Sequence, residues 1–229
     1  MPSWQNMILL TFLSALCTAV AFHHIWLPPA YDPTEPLDLR APPNIMRPLK
    51  LRLLASSPAL CRAALATSPL HIRQHSAAGT PACPLPDAVT VSSGPAPALP
   101  DSFLASCRLA VSWSLFETDI AVPAARTTFG TDLRRIRHAG SFACRDIREH
   151  PGAQSSHATA DAIDVSGFVL ADGREIPVSA WHASDRRAAF LHSIRDQACT
   201  VFGIVLSPDY NSLHASHLHL QATGFGLCR

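Results

Sequence analysis

Apolar and polar positions divide the chain into three regimes. Residues 7–22 form an uncharged apolar run, extended by Ile25, Trp26 and Leu27, and no Lys, Arg, Asp or Glu precedes Asp32. The stretch meets the roughly 20 predominantly apolar residues that a bilayer crossing needs. Trp4 and Trp26 flank it, as indole rings do at membrane interfaces. Residues 1–27 are therefore expected to form one transmembrane helix that anchors the protein. A cleaved signal peptide is the rival reading, against which stand the missing basic n-region and a poor small-x-small site. Residues 28–50 carry Pro28, Pro29, Pro33, Pro36, Pro42, Pro43 and Pro48. That composition predicts a stiff extended spacer holding the remainder away from the bilayer.

From residue 51 to 229 the pattern is that of a folded domain. Helices are expected at 57–66, 102–120 and 185–198. In the second, Phe103, Cys107, Ala110, Val111, Ser114 and Leu115 recur at helical spacing, with Asp101 or Ser102 as cap and Pro123 beyond the end. In the third, Ala188, Leu191, Ile194 and Ala198 share a face. Strands are expected at 88–92, 133–138, 162–169, 201–206 and 216–221. Helices collected before and between strands predict an α+β domain, an antiparallel sheet with flanking helices, preceded by the one N-terminal transmembrane helix.

Charge adds little. A formal net charge of +1 offers no electrostatic case for nucleic acid, and 7% aromatic residues offer no evident sugar-stacking platform. The run Arg134, Arg135 and Arg137 reads as a solvated strand face. Cysteine adds more. Cys17 lies in the apolar run, whereas Cys61, Cys83, Cys107, Cys144, Cys199 and Cys228 lie in the domain. An even number there fits disulfides made in an oxidising compartment. Sequence order suggests Cys61–Cys83, Cys107–Cys144 and Cys199–Cys228, one of about 15 possible connectivities. No C-x-x-C pair occurs, which argues against a zinc knuckle or a thioredoxin-like motif.

The candidate chemistry sits in two short stretches, Ser155-Ser-His-Ala-Thr-Ala-Asp-Ala-Ile-Asp164 and His214-Ala-Ser-His-Leu-His219. A catalytic zinc takes three protein ligands from His and carboxylate and leaves a fourth position open. His157, Asp164 and His219 are the expected ligands, leaving His214 and His217 to handle protons. A strand alternates faces with period two, so His217 and His219 would face one side while Leu218 and Leu220 enter the core. His157 would lie in a loop leading into the strand that carries Asp164. Asp164 stands between Ile163 and Val165, where a carboxylate is costly to bury unless paired or bound to metal.

These residues carry a resemblance. Ser155-x-His157-x-x-Ala160-x-Ala162-x-Asp164 resembles the S-x-H-x-x-G-x-A-x-D signature of the superfamily of lysostaphin, D-Ala-D-Ala peptidases and hedgehog domains. His217-x-His219 resembles its H-x-H signature, whose second His is the ligand. From about Pro36 to the C-terminus the chain is similar to bacterial extensin-like C-terminal domain proteins, through Phe142-Ala-Cys144-Arg145, Gly203 to Asn211 and His214-x-x-His217-x-His219. The last arrangement also resembles that of penicillin-insensitive murein endopeptidases. Two positions depart. Ala160 replaces the signature Gly, which puts the turn after His157 in question. Ser216 stands where D-Ala-D-Ala peptidases place a Glu, so the glutamate general base is missing.

The resemblance implies a zinc-dependent hydrolase acting on peptidoglycan peptides. His214 becomes the expected base, and His217 the oxyanion-side or proton-shuttling group. Arg145 matches an arginine upstream of the first ligand in related peptidases and is expected to hold a substrate carboxylate. Its bland alternative is an ion pair with Asp146 or Glu149. Asp209 and Tyr210 are expected at the substrate-binding rim, or else form a turn. Cysteines and resemblance together place the domain in the periplasm, anchored in the inner membrane. Arg40, Arg47, Lys50 and Arg52 after the span oppose that orientation, weakly at their distance. Two further classes stay open: a zinc-containing module that binds wall peptide or a protein without cleaving, and a structural module holding no metal.

Overall fold

The computed structural model describes residues 3–148, 150–224 and 226–229. The apolar N-terminus forms α1 (Trp4–Ala21), none of whose residues is buried, followed by the single turn α2 (His23–Trp26). Its length and mean hydropathy of 1.5 suit a membrane span or a signal sequence equally. The proline-rich stretch is not the extended spacer its composition predicts. Leu37 and Leu39 are buried in the domain core, and the stretch ends in α3 (Arg47–Leu53), which buries Arg47 and Lys50. Proline forbids regular structure, but it does not stop the leucines between prolines from covering apolar surface.

The domain continues with α4 (Pro58–Leu65) and a run of short strands: β1 (His71–Gln74), β2 (Ala77–Gly79), β3 (Pro84–Pro86), β4 (Val89–Ser93), β5 (Ala98–Leu99) and β6 (Phe103–Ala105). Then α5 (Cys107–Leu115) passes through a π-helical turn, Phe116–Ala121, into α6 (Val122–Phe129). Next come β7 (Leu133–His138), the hairpin of β8 (Asp146–Ile147) and β9 (His150–Gln154), a 3-10 turn Ser156–Thr159, β10 (Ala162–Leu170) and β11 (Glu175–Pro177). The chain closes with α7 (Arg186–Ala198), β12 (Ile204–Leu206), β13 (Leu218–Gln221) and β14 (Leu227–Cys228).

The expected helix over 102–120 is corrected at both ends. Phe103–Ala105 is a strand paired with β4, and the helix starts only where Ser106 caps it, its Oγ accepting from the Leu109 N–H at 3.1 Å. Its far end runs past Pro123, because the wider π-turn precedes the proline, whose ring and missing N–H then cost no regular α-helical bond. Gly130, at φ +68°, supplies the left-handed cap that ends α6. The strands expected at 133–138 and 162–169 form almost as bounded, and the other three are shorter or shifted by a residue or more.

The main sheet has seven strands in the order β14-β12-β13-β10-β7-β5, with β11 also on β10. Its pairings are antiparallel except at the ends, where β14 runs parallel to β12 and β5 to β7. The fold is thus α+β with a mixed sheet. Trp113, Phe116, Phe168, Phe190 and Trp181 fill the core between this sheet and the helices. The register that matters lies between β10 and β13, where Asp164 is directly opposite His219. Leu218 and Leu220 are fully buried, so His219 must face the other way, as alternation predicts.

Three disulfides join Cys61 to Cys107, Cys83 to Cys144 and Cys199 to Cys228. The third is the expected pair; the first two are corrected. Cys61 is on the buried face of α4, which packs against α5 where Cys107 begins it. Cys83 in the β2–β3 connection instead reaches the loop before β8. Packing between elements, not order along the chain, selects the partner.

Candidate metal centre

His157, Asp164 and His219 come together with one ligand atom from each within 4.8 Å of the others. Their supports differ. Asp164 and His219 face each other across a ladder, and Asp164 is fixed further by main-chain bonds to Gly140 O at 3.1 Å and from Ala139 N at 2.8 Å. His157 sits on the 3-10 turn, where the Ser155 hydroxyl accepts from the His157 N–H. The turn ends at Ala160 with φ +51°, ψ +31°, so the left-handed bend survives without the signature glycine. The Ala160 methyl packs with Leu85 and Ala88 in a small satellite cluster.

Asp161, which the sequence reading did not single out, fastens this turn to α5. It is buried, accepts from Ser106 Oγ at 2.6 Å and Thr159 Oγ1 at 2.9 Å, and pairs with Arg108 at 3.0 Å. The Ala160 carbonyl also accepts from the Ser106 N–H. The only signal in the sequence was a second carboxylate inside the motif, three residues before Asp164.

The outward nitrogens of both imidazoles are already committed. His157 Nδ1 lies 3.0 Å from the Ser141 carbonyl, which can only accept, so Nδ1 carries the proton. Gln221 spends its amide N–H groups on Thr223 O and Oγ1, which turns its Oε1 toward His219 Nε2 at 3.3 Å. Neutral imidazoles so oriented aim two lone pairs, His157 Nε2 and His219 Nδ1, at Asp164 Oδ1. The three separations are 3.2, 3.2 and 3.0 Å. Three acceptors with no proton between them call for a cation. Zinc bonds of about 2.0–2.2 Å in tetrahedral arrangement separate neighbouring ligand atoms by about 3.3 Å, close to what is seen. Outward N–H groups held by a carbonyl and an amide are the usual outer support of metal-bound histidine. The donor set fits zinc. Burial works against the Asp164 charge; only if the two rings were instead protonated toward it would their bonds and charges hold its carboxyl well below the usual carboxylate range.

His217 adjoins the triad, its Nε2 3.6 Å from Asp164 Oδ1, and burial lowers its pKa against the pull of that carboxylate. His214, on the turn Ser212–His214, bonds through Nδ1 to Asn211 Oδ1 at 2.6 Å, and its ring is 5.1 Å from that of His217. Burial, then the neighbouring His217 and His219, lowers it to about 4. Asn211 Oδ1 also accepts from the Leu213 N–H, so it is an acceptor toward His214 and leaves His214 Nε2 bare.

The centre lies at the junction of two clefts, of about 610 and 410 Å³, both of which touch His157, Asp164, His217, Arg145 and Arg148. Arg145 is exposed on the rim and donates to the Asp146 carbonyl; Glu149, its other expected partner, lies outside the described residues. Tyr210 lines the larger cleft with its ring 5.4 Å from His214. Asp209 does not join it: its Oδ1 accepts from Trp181 Nε1 at 2.9 Å. Ser216 lines the smaller cleft, and among the described residues Asp164 is the one carboxylate on either wall. Arg148, Gln221 and the Ser141 carbonyl were not anticipated.

Residues 59–229 match the model of a family described as Extensin-like protein C-terminus. No curated protein and no solved structure matches the chain.

Proposed function

The chain belongs to the extensin-like protein C-terminal family, and from that premise we propose that it is a zinc-dependent hydrolase cleaving peptide bonds of peptidoglycan in the periplasm. In this reading α1 is an anchor in the inner membrane. The observation that carries the proposal is the inward convergence of three acceptor atoms, with the outer nitrogens of both histidines already paired. Resemblance of the two histidine motifs to murein peptidases supplies the substrate class, a weaker warrant than the site. Three disulfides suit an oxidising compartment.

His157, Asp164 and His219 would hold the ion. When bound there, zinc polarises a carbonyl and acidifies a water to a pKa of about 7. His214 Nε2, bare because Nδ1 donates to Asn211, is the group that takes a proton from the attacking water. His217, beside Asp164, donates toward the oxygen on which charge develops. Arg145 and Arg148 on the rim bind substrate carboxylates, and Tyr210 packs against the peptide.

One observation favours a second reading, a zinc-containing module that binds wall peptide or protein without cutting it: Ser216 in place of a glutamate, with no other described carboxylate to serve as base. The test is metal analysis of the purified chain followed by incubation with peptidoglycan sacculi, with and without chelator. One zinc per chain and chelator-sensitive peptide release is the expected outcome. Zinc without products points to the binding module, and no zinc refutes both. His219→Ala should lose the metal, whereas His214→Ala should keep it and lose turnover.

A further inference from the structure

The segment between α1 and the domain is built as a rigid collar. Lys50, buried on α3, donates its ammonium to the Pro29 carbonyl at 2.7 Å, and Asn44 Nδ2 donates to the Ala30 carbonyl at 3.3 Å. Buried Arg47 joins Asp119 at 2.6 Å to the Ala41 carbonyl at 2.8 Å, bolting the collar to the π-turn. His23 bonds Thr34 Oγ1 at 3.1 Å, tying the end of the apolar helix to the same segment. With Leu37 and Leu39 in the core, this stretch has no slack to pay out.

Its outer face presents large apolar side chains. On α3, Arg47 and Lys50 point inward while Pro48, Leu49 and Arg52 point outward. Ile45 is 84% exposed, more than any other large apolar side chain described, and Tyr31 and Leu49 are exposed beside it in the collar. An isolated exposed leucine needs no explanation, but three large side chains on one rigid segment do. The exposed charges of the collar cancel, Glu35 and Asp38 against Arg40 and Arg52.

Position selects the occupant. Asn44 holds its neighbour Ile45 close to Ala30, and Ala30 follows Trp26 by only four residues. Four residues reach at most about 14 Å. The turn in which the Pro28 carbonyl accepts from Tyr31 and Asp32 shortens that reach. The headgroup layer extends about 5–8 Å beyond the hydrocarbon. We infer that Tyr31, Ile45 and Leu49 bed into the interface of the bilayer that α1 crosses, so that the domain is docked on the membrane and not tethered to it. The inference rests on the anchor reading of α1.

The full chain in lipid bilayers tests this with an environment-sensitive fluorophore on cysteine. Cys17, free and exposed on α1, takes the label in the native sequence. Ile45→Cys, Leu49→Cys and, as an exposed control, Ile147→Cys take it in a Cys17→Ser background. Labels at 17, 45 and 49 should shift to the blue and lose most of their intensity to lipid-borne doxyl quenchers, unchanged by salt, while the label at 147 should not. Quenching at 17 with water-like emission at 45 and 49 overturns the docking and leaves the anchor. No lipid quenching at 17 removes the anchor, and the docking with it. Labels at 45 and 49 shielded from iodide but untouched by lipid quenchers would mean a protein partner or a second copy covers the face, which also overturns it.

Discussion

Gln221 offers the sharpest test of the proposed metal centre, because it touches the site only through a histidine tautomer. Its Oε1 accepts from His219 Nε2 at 3.3 Å, and its amide group is held by Thr223. Gln221→Ala deletes that acceptor and lets either ring nitrogen carry the proton. The wrong tautomer then competes, and the ring also loses the orientation and the added basicity that the accepting amide gave it. Loss of such an outer partner weakens metal binding about 10–100-fold, or about 1.4–2.7 kcal/mol. Gln221→Glu should do the opposite, since a carboxylate accepts the same N–H more strongly and raises the basicity of Nδ1. Competition against a chromogenic zinc chelator reads both. Gln221 is only partly buried, so metal-free melts of the variants should stay close to wild type, separating this effect from folding. Zinc affinity within about twofold of wild type for Gln221→Ala, against the tenfold expected, would refute the claim that this amide sets the inward lone pair.

Other outcomes follow from groups outside the centre. Glu117 is buried against the Ala96 N–H at 2.6 Å and Trp113 Nε1 at 3.2 Å, and burial, opposed by those two bonds, raises it from 4.5 to about 7. The folded state therefore binds this proton more tightly than the unfolded state, and stability falls as pH rises from 4.5 to 7, by about 3 kcal/mol from this group. Glu117→Gln should gain on wild type across that window in urea titrations; parallel pH profiles would contradict the linkage. Ala160→Gly should be close to neutral in the same assay. Relief of about 1 kcal/mol at a left-handed residue offsets a lost methyl contact of about 0.8 kcal/mol. Ala160→Val should cost more than about 2 kcal/mol, because a β-branched residue resists that φ and overpacks the Leu85 cluster.

Which features were legible in the sequence depends on how local their causes are. His157, Asp164 and His219 were readable from motif spacing and from the alternation of Leu218 and Leu220, both properties of a few consecutive residues. The same period of two runs on from His219 to Gln221, so its partner was within reach of the argument. The Ser141 carbonyl was not, since a main-chain acceptor leaves no mark in side-chain identity. Phe103 and Cys107 fit a helix by spacing, but Ser106 is a better cap than Asp101 or Ser102 once Phe103 is claimed by pairing with β4. The pairing of Cys61 with Cys107 and the burial of Leu37 and Leu39 depend on which surfaces meet. Composition cannot report that.

The two sides of the centre explain why the protein spends so much structure on one turn. Asp164 and His219 are held by the ladder of the main sheet and need little else. His157 has only a four-residue turn beneath it, ending in a left-handed alanine that costs about 1 kcal/mol. Such a conformation persists where its surroundings overdetermine it. Here they do so three times over. The pairing of buried Asp161 with half-buried Arg108 fixes the turn to α5, the Ala160 methyl is locked under Leu85 and Ala88, and the Cys83–Cys144 bridge joins that hairpin to the loop leading to Arg145. That same loop carries the Ser141 carbonyl that orients His157. The alanine is therefore a constraint and not a defect: its methyl couples the turn that carries His157 to the stapled hairpin, a contact glycine could not make.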